Sequence, residues 1–81
     1  MQTNLGLIRL DRDVIRRIRE ILCDEGGIKM TRLALKANVQ YNRLLKYISW
    51  LEGIGAIQVI SDGKSRDILI TEKGREILVN F

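Results

Sequence analysis

Lys29 to Glu52 reads KMTRLALKANVQYNRLLKYISWLE, and the way this stretch divides decides the fold. From about Met30 to Ala37 the residues Met30, Leu33, Ala34 and Ala37 recur at helical spacing and share a face. Asn38 and Val39 then stop that helix, because Asn is the non-glycine residue best suited to the left-handed conformation of a sharp turn. A second helix runs from about Tyr41 to Gly53, with Gln40 as a mediocre N-cap and Tyr41, Leu44, Leu45, Ile48 and Leu51 as the expected buried face. Two helices that meet at a large angle need a small residue near the crossing and a left-handed position in the turn. Ala34 and Asn38 supply both.

Charge singles out the same stretch. The chain carries 14 basic and 10 acidic residues, and Lys29, Arg32, Lys36, Arg43 and Lys46 against Glu52 give this segment the whole net charge of +4. Residues 1–28 balance five arginines against five acids, and residues 53–81 balance four basic residues against four acidic ones. A localised positive field attracts polyanions.

The solvent face of the second helix carries Asn42, Arg43, Lys46, Ser49 and Trp50, with Tyr47 on its margin. Arg pairs with guanine O6 and N7, Asn and Gln pair with adenine N6 and N7, and Lys or Tyr reaches phosphate. Residues near the N-terminus of such a helix penetrate a groove deepest, which ranks Gln40, Asn42 and Arg43 above Lys46 and Tyr47 for base contact. The competing reading is an ordinary solvated amphipathic face. Trp50 is expected to pack under the segment that follows, with a second subunit as the alternative. Leu35 points away from its helix's core face and has no assignment beyond a subunit contact.

Outside this stretch, residues 1–10 suggest a short strand or arm. Asp11 is a good N-cap for a helix from Arg12 to about Glu25, with Val14, Ile15, Ile18, Ile21 and Leu22 on one face and Gly26-Gly27 ending it. Asp13 with Arg17, and Arg16 with Glu20, are spaced for i,i+4 ion pairs of about 0.2–0.5 kcal/mol each. Arg12, Arg16, Arg19 and Cys23 form a stripe on the opposite side, either a solvated surface or a flank that touches phosphate or a partner subunit. Ile28 is placed to bridge into a small sheet.

AIQVIS, Asp62-Gly63 and KSRDILI form an expected hairpin with a type I′ turn. Pairing Ser61 with Lys64 sets Ile57 against Ile68 and puts Ile57, Val59, Ile68 and Ile70 on one face. Its tip leaves Lys64, Ser65 and Arg66 free of the core. Thr71 caps a last helix from Glu72 to about Asn80, too short to persist unless it docks.

An 81-residue chain is one domain, 1–81, with a small core; 46% hydrophobic and only 5% aromatic composition makes that core aliphatic. Histidine is absent and Cys23 is the only cysteine, which removes an intramolecular disulfide, multi-cysteine metal sites and the commonest general base. We therefore expect no enzyme, metal or cofactor, no small-molecule substrate and no membrane span. The reading places the protein in the cytoplasm.

The element order, arm, helix, bridge, helix, turn, helix, hairpin, helix, resembles a winged helix-turn-helix domain, a mainly α fold with a small antiparallel sheet. More narrowly, GGIKMTRLALKANVQYNRLLKYISWLEGIGAI followed by ILITEKGREIL is similar to small winged-helix regulators and chromatin proteins typical of archaea and their viruses and plasmids, with Thr71-Glu72-Lys73-Gly74 the most specific part. The resemblance implies a homodimer on double-stranded DNA, the recognition helix in the major groove and the hairpin wing on the adjacent backbone or minor groove. It maps contacts onto Gln40, Tyr41, Asn42, Arg43, Lys46 and Tyr47 in the helix, Lys64 and Arg66 in the wing, and phosphate anchors Thr31 and Arg32. Some relatives dimerise through a long C-terminal coiled-coil helix. Without it, the arm, the first helix or the last helix would supply the dimer surface, while Asp62 and Asp67 weaken the wing's hold on phosphate. The expected function is a transcriptional regulator. The alternatives are an architectural protein that coats DNA and, from another class, a protein-interaction module.

Overall fold

The computed structural model describes residues 10–81; the expected arm before Leu10 lies outside them. In chain order come α1 (Arg12–Asp24), β1 (Ile28–Lys29), α2 (Met30–Ala37), α3 (Tyr41–Gly53), β2 (Ile57–Asp62), β3 (Ser65–Ile70) and α4 (Glu72–Ile77), closed by a 3-10 turn, Leu78–Asn80. The strands form one antiparallel sheet in the order β1-β3-β2. Helices and sheet share one aliphatic core that includes Ile15, Ile18, Leu22, Leu33, Leu44, Leu51, Ile68 and Leu78.

Local chemistry sets the helix ends. Asp11 accepts the Asp13 N–H at 2.8 Å and so caps α1. Asn38, at φ 57° and ψ 50°, is the one non-glycine residue with positive φ among the described residues. Its N–H donates to the Leu35 carbonyl and that of Val39 to the Ala34 carbonyl, the bond pattern of a Schellman C-cap. Ion pairing on α1 differs from expectation. Asp13 pairs with Arg16, and Arg17 instead donates from Nε to the Ala37 carbonyl at 3.0 Å, tying α1 to the C-terminus of α2.

The wing corrects the expected register. Asp62 pairs with Ser65, Val59 with Ile68 and Ile57 with Ile70, one residue further along each strand than the sequence pattern suggested. The two turn residues are Gly63 and Lys64, and only Gly63 has positive φ, at 62°. A type I′ turn on Asp62-Gly63 would have forced Asp62 into the left-handed region as well, whereas glycine first is the type II′ arrangement. The shift keeps Ile57, Val59, Ile68 and Ile70 on one face and matches apolar residues across the strands.

The Thr71-Glu72-Lys73-Gly74 string is a structural clasp. The Thr71 hydroxyl accepts the Gly74 N–H at 2.9 Å, capping α4, and donates to the Gly55 carbonyl at 2.6 Å; the Thr71 N–H bonds the Ala56 carbonyl at 2.9 Å. A Cβ on Gly74 would fall 2.0 Å from that same carbonyl oxygen, so only glycine lets α4 lie against the turn that follows α3. Trp50, half-buried against the core, has an aromatic partner that the sequence did not point to. Its ring meets Phe81 edge-on, centroids 6.2 Å apart, and Arg12 lies over the other partner of the pair, 5.7 Å from the Phe81 centroid.

Candidate nucleic-acid interface

The α2–α3 turn points the start of α3 outward. Leu44, Tyr47, Ile48 and Leu51 form its buried row, so at helical spacing Asn42, Lys46 and Ser49 face directly away from the core. Arg43 lies on one flank of that outward row and Tyr41 on the other. Gln40, Tyr41, Asn42, Arg43 and Lys46 are all exposed, as are Thr31, Arg32, Lys64 and Arg66. Neither Lys29, before α2, nor Gln40, before α3, makes a side-chain cap, so the first N–H groups of both helices point at this surface without a capping side chain.

Tyr47 must be removed from the contact surface. It is 1% exposed, whereas Tyr41, expected in the core, is 41% exposed. The two tyrosines exchange roles because Tyr47 finds partners for its hydroxyl inside: the Asp11 N–H donates to it at 2.9 Å and the Arg43 guanidinium at 3.5 Å. A buried phenol with such partners contributes its ring area without an unpaired polar atom.

Folding brings the two ends of the expected site together. Lys29, Met30, Thr31, Tyr41, Lys64, Ser65 and Arg66 line one polar concavity of about 390 Å³ between the wing tip, the start of α2 and the start of α3. Thr31, Tyr41, Lys64 and Arg66 come from three separate sequence segments, and the concavity adds Lys29, which sequence reasoning missed. Lys29 pairs with Asp67 in the β1–β3 register, so a wing carboxylate stands across from it. A second hollow of about 530 Å³ lies over the α2–α3 turn, lined by Thr31, Ala34, Leu35, Asn38, Val39, Gln40 and Tyr41.

Glu25, just past the end of α1, alters the charge picture. Its carboxylate receives Arg32 at 3.3 Å and a close contact from Lys36, so two of the five basic residues of the organising stretch share one acid from outside it. The Lys36 hydrogen bond, opposed by desolvation and reinforced by the charges of Lys36 and Arg32, holds the Glu25 carboxyl below the usual range. Arg32 keeps most of its side chain exposed and can turn toward an anion only by leaving Glu25. Lys29, Arg43, Lys46, Lys64 and Arg66 have no carboxylate in salt-bridge range among the described residues, and they gather on α3 and in the concavity beside it. Such a surface can hold a polyanion whose charges are spaced along a rod.

A three-helix core whose second and third helices meet through a left-handed turn, followed by a β-hairpin beside the third helix, defines a helix-turn-helix with a wing. The chain belongs to the winged helix-turn-helix family, whose model matches residues 9–81. Comparison with curated protein sequences gives no match. Among solved structures it is similar to a MarR-family transcriptional regulator from Silicibacter pomeroyi, with a TM-score of 0.78 and 22% identity over 88% of this chain and 49% of that one. It is also similar to Sso10a-2, a DNA-binding protein from Sulfolobus solfataricus, with a TM-score of 0.73 and 25% identity over 90% of this chain and 78% of that one. The transcriptional repressor CouR, solved bound to a 23-mer DNA duplex, superposes with a TM-score of 0.72 at 21% identity, covering 79% of this chain and 47% of CouR. The chain thus spans about half the length of the MarR-family regulator and of CouR.

Proposed function

We propose that the protein is a double-stranded DNA-binding transcriptional regulator of the winged helix-turn-helix family, acting by binding and not by catalysis. The observation that carries this reading is the continuity of one exposed surface from Gln40, before α3, and Asn42 and Lys46 on it, to Lys29, Thr31, Lys64 and Arg66 in the concavity under the wing. An α-helix with its side chains is about 10–12 Å across, and the B-DNA major groove is about 12 Å wide. With α3 in that groove, its outward row meets base edges, while the wing and the start of α2 meet the sugar-phosphate backbone. The similarity to Sso10a-2 and CouR supports duplex DNA as the polyanion.

The protein acts as a homodimer on a two-fold site with half-sites about 34–36 Å apart, the spacing of one helical turn. The exposed Val79, on the last segment, and Leu35, on α2, are apolar surfaces available to a second copy. Membership of the winged helix-turn-helix family supports a DNA-associated, cytoplasmic place of action.

Selection of bound duplexes from a random pool, followed by titration of the selected and a random duplex at several salt concentrations, tests the proposal. A regulator gives one enriched motif and a specificity ratio of about 10³ or more. A steep salt slope shared by every sequence would instead make the protein a DNA-coating protein. No binding to any duplex at low salt refutes the reading.

A further inference from the structure

We infer that Arg43 is a clamp on the DNA backbone, not a reader of bases, and that buried Tyr47 is the positioning residue that aims it. This rests on the reading of α3 as the helix that enters the major groove. The sequence pattern ranks Arg43 with Gln40 and Asn42 as a base reader, because arginine is the commonest partner of guanine. The fold separates them. Asn42, Lys46 and Ser49 lie opposite the buried row of α3, and Arg43 lies to one side of that line. A helix about as wide as the groove turns its outward row to the floor and its flanks to the walls, and the walls are phosphate. Arg43 is on the flank next to the start of α1. Tyr41 and the concavity holding Lys29, Lys64 and Arg66 are on the other. The two strands that border the groove therefore each meet a cationic wall.

The guanidinium also rests against Tyr47 on that flank. Its carbon sits 5.9 Å from the Tyr47 ring centroid and its Nη2 lies 3.5 Å from the Tyr47 hydroxyl. Tyr47 is anchored, with its ring inside the core and its oxygen accepting the Asp11 N–H at 2.9 Å. A phenol oxygen has two lone pairs, and these two donors occupy both. An arginine side chain normally loses considerable rotamer freedom when it binds. Resting Arg43 against a buried ring removes part of that loss beforehand, the usual effect of preorganisation. The same contact keeps the group on the flank, where a phosphate is the partner within reach.

The experiment is a double-mutant cycle in the full chain with Arg43→Ala, Tyr47→Phe and the pair, titrated with a selected and a random duplex at several salt concentrations. Tyr47→Phe keeps the ring and deletes only the oxygen, and thermal unfolding checks that each variant is folded. Arg43→Ala should weaken both duplexes equally, by about tenfold, and lower the salt slope by about one. Arg43→Lys should keep the slope, since the slope counts the phosphate charges neutralised and lysine retains the charge. Tyr47→Phe should weaken both duplexes by about threefold to fivefold, the size of one ordinary hydrogen bond, and should have no further effect in the Arg43→Ala background. A loss for Tyr47→Phe that persists in that background means that Tyr47 acts only through the fold and overturns the positioning role. A changed preference at one base pair in Arg43→Ala, with random-duplex affinity intact, overturns the clamp. Failure of the parent chain to bind any duplex sinks the DNA-binding reading itself. Equal affinity of the parent for both duplexes sinks only the regulator, because the clamp is still measured on random DNA.

Discussion

Gly74→Ala should destabilise the protein by about 2 kcal/mol, although the same exchange inside an ordinary helix stabilises by about 1 kcal/mol. The position is in α4, and its φ is not positive, so the backbone itself accepts alanine. The obstacle is steric. The added carbon would stand 2.0 Å from the Ala56 carbonyl oxygen and 3.0 Å from an Ile70 side-chain carbon. That oxygen belongs to backbone and is held by the Thr71 N–H at 2.9 Å, so it cannot yield as the end of a flexible side chain would. Overpacking of this kind costs about 1–3 kcal/mol, and contact with fixed backbone puts Gly74 at the upper end. The alternative, lifting α4, uncovers the fully buried Leu78 at about 2–3 kcal/mol, a similar loss. Subtracting the gain in helix propensity leaves about 2 kcal/mol. In a domain of this size that lowers Tm by about 8–16 °C, since each kcal/mol is worth about 4–8 °C. Thermal and urea unfolding followed by circular dichroism measure it. Gly53→Ala, at the end of α3 with nothing within 4 Å of the place its methyl would take, is the control and should show no loss. A Gly74→Ala protein as stable as the parent, or more so, would refute the clasp.

Other expectations concern the turn, the charge field and the wing. Asn38→Ala should cost about 1 kcal/mol of stability in the same unfolding assay, and Asn38→Gly should cost little, because the residue sits at φ 57° and glycine adopts that conformation without strain. Glu25→Gln should tighten binding to specific and random duplexes alike, by releasing Arg32 and Lys36 from their shared carboxylate; unchanged affinity in a salt titration would show that neither cation faces DNA. The same variant has a pH signature. The Glu25 pKa is depressed in the folded protein, so its contribution to stability is complete above the ordinary carboxylate value and is lost as pH falls through the lowered one. The stability gap between parent and Glu25→Gln should therefore be full at neutral pH and close in acid. Lys29→Ala should reduce the salt slope of duplex binding by about one without changing base preference, which places the concavity on phosphate.

Much of the architecture is written in short-range chemistry. The bounds of α2 and α3, the left-handed turn at Asn38 and the caps at Asp11 and Thr71 all depend on residues within a few positions of one another, so the sequence alone determines them. The concentration of positive charge between Lys29 and Glu52 is likewise a property of the sequence. Which of those charges remain available is not. Glu25 reaches Arg32 and Lys36 only because α1 and α2 pack side by side, and Lys29 joins Lys64 and Arg66 only because β1 pairs with β3.

The choice between Tyr41 and Tyr47 shows the same division. Either tyrosine could complete an apolar stripe on α3, and periodicity does not separate them. The fold decides, because the Asp11 N–H arrives from 36 residues earlier to satisfy the Tyr47 hydroxyl inside the core. Trp50 is settled by Phe81, and the wing register by the preference of Gly63 over Asp62 for the positive φ. The helix-turn-helix is thus a local property that the sequence determines, while the surface it presents, with Asn42 and Lys46 outward and Arg43 held to one side, exists only once distant segments have packed around α3.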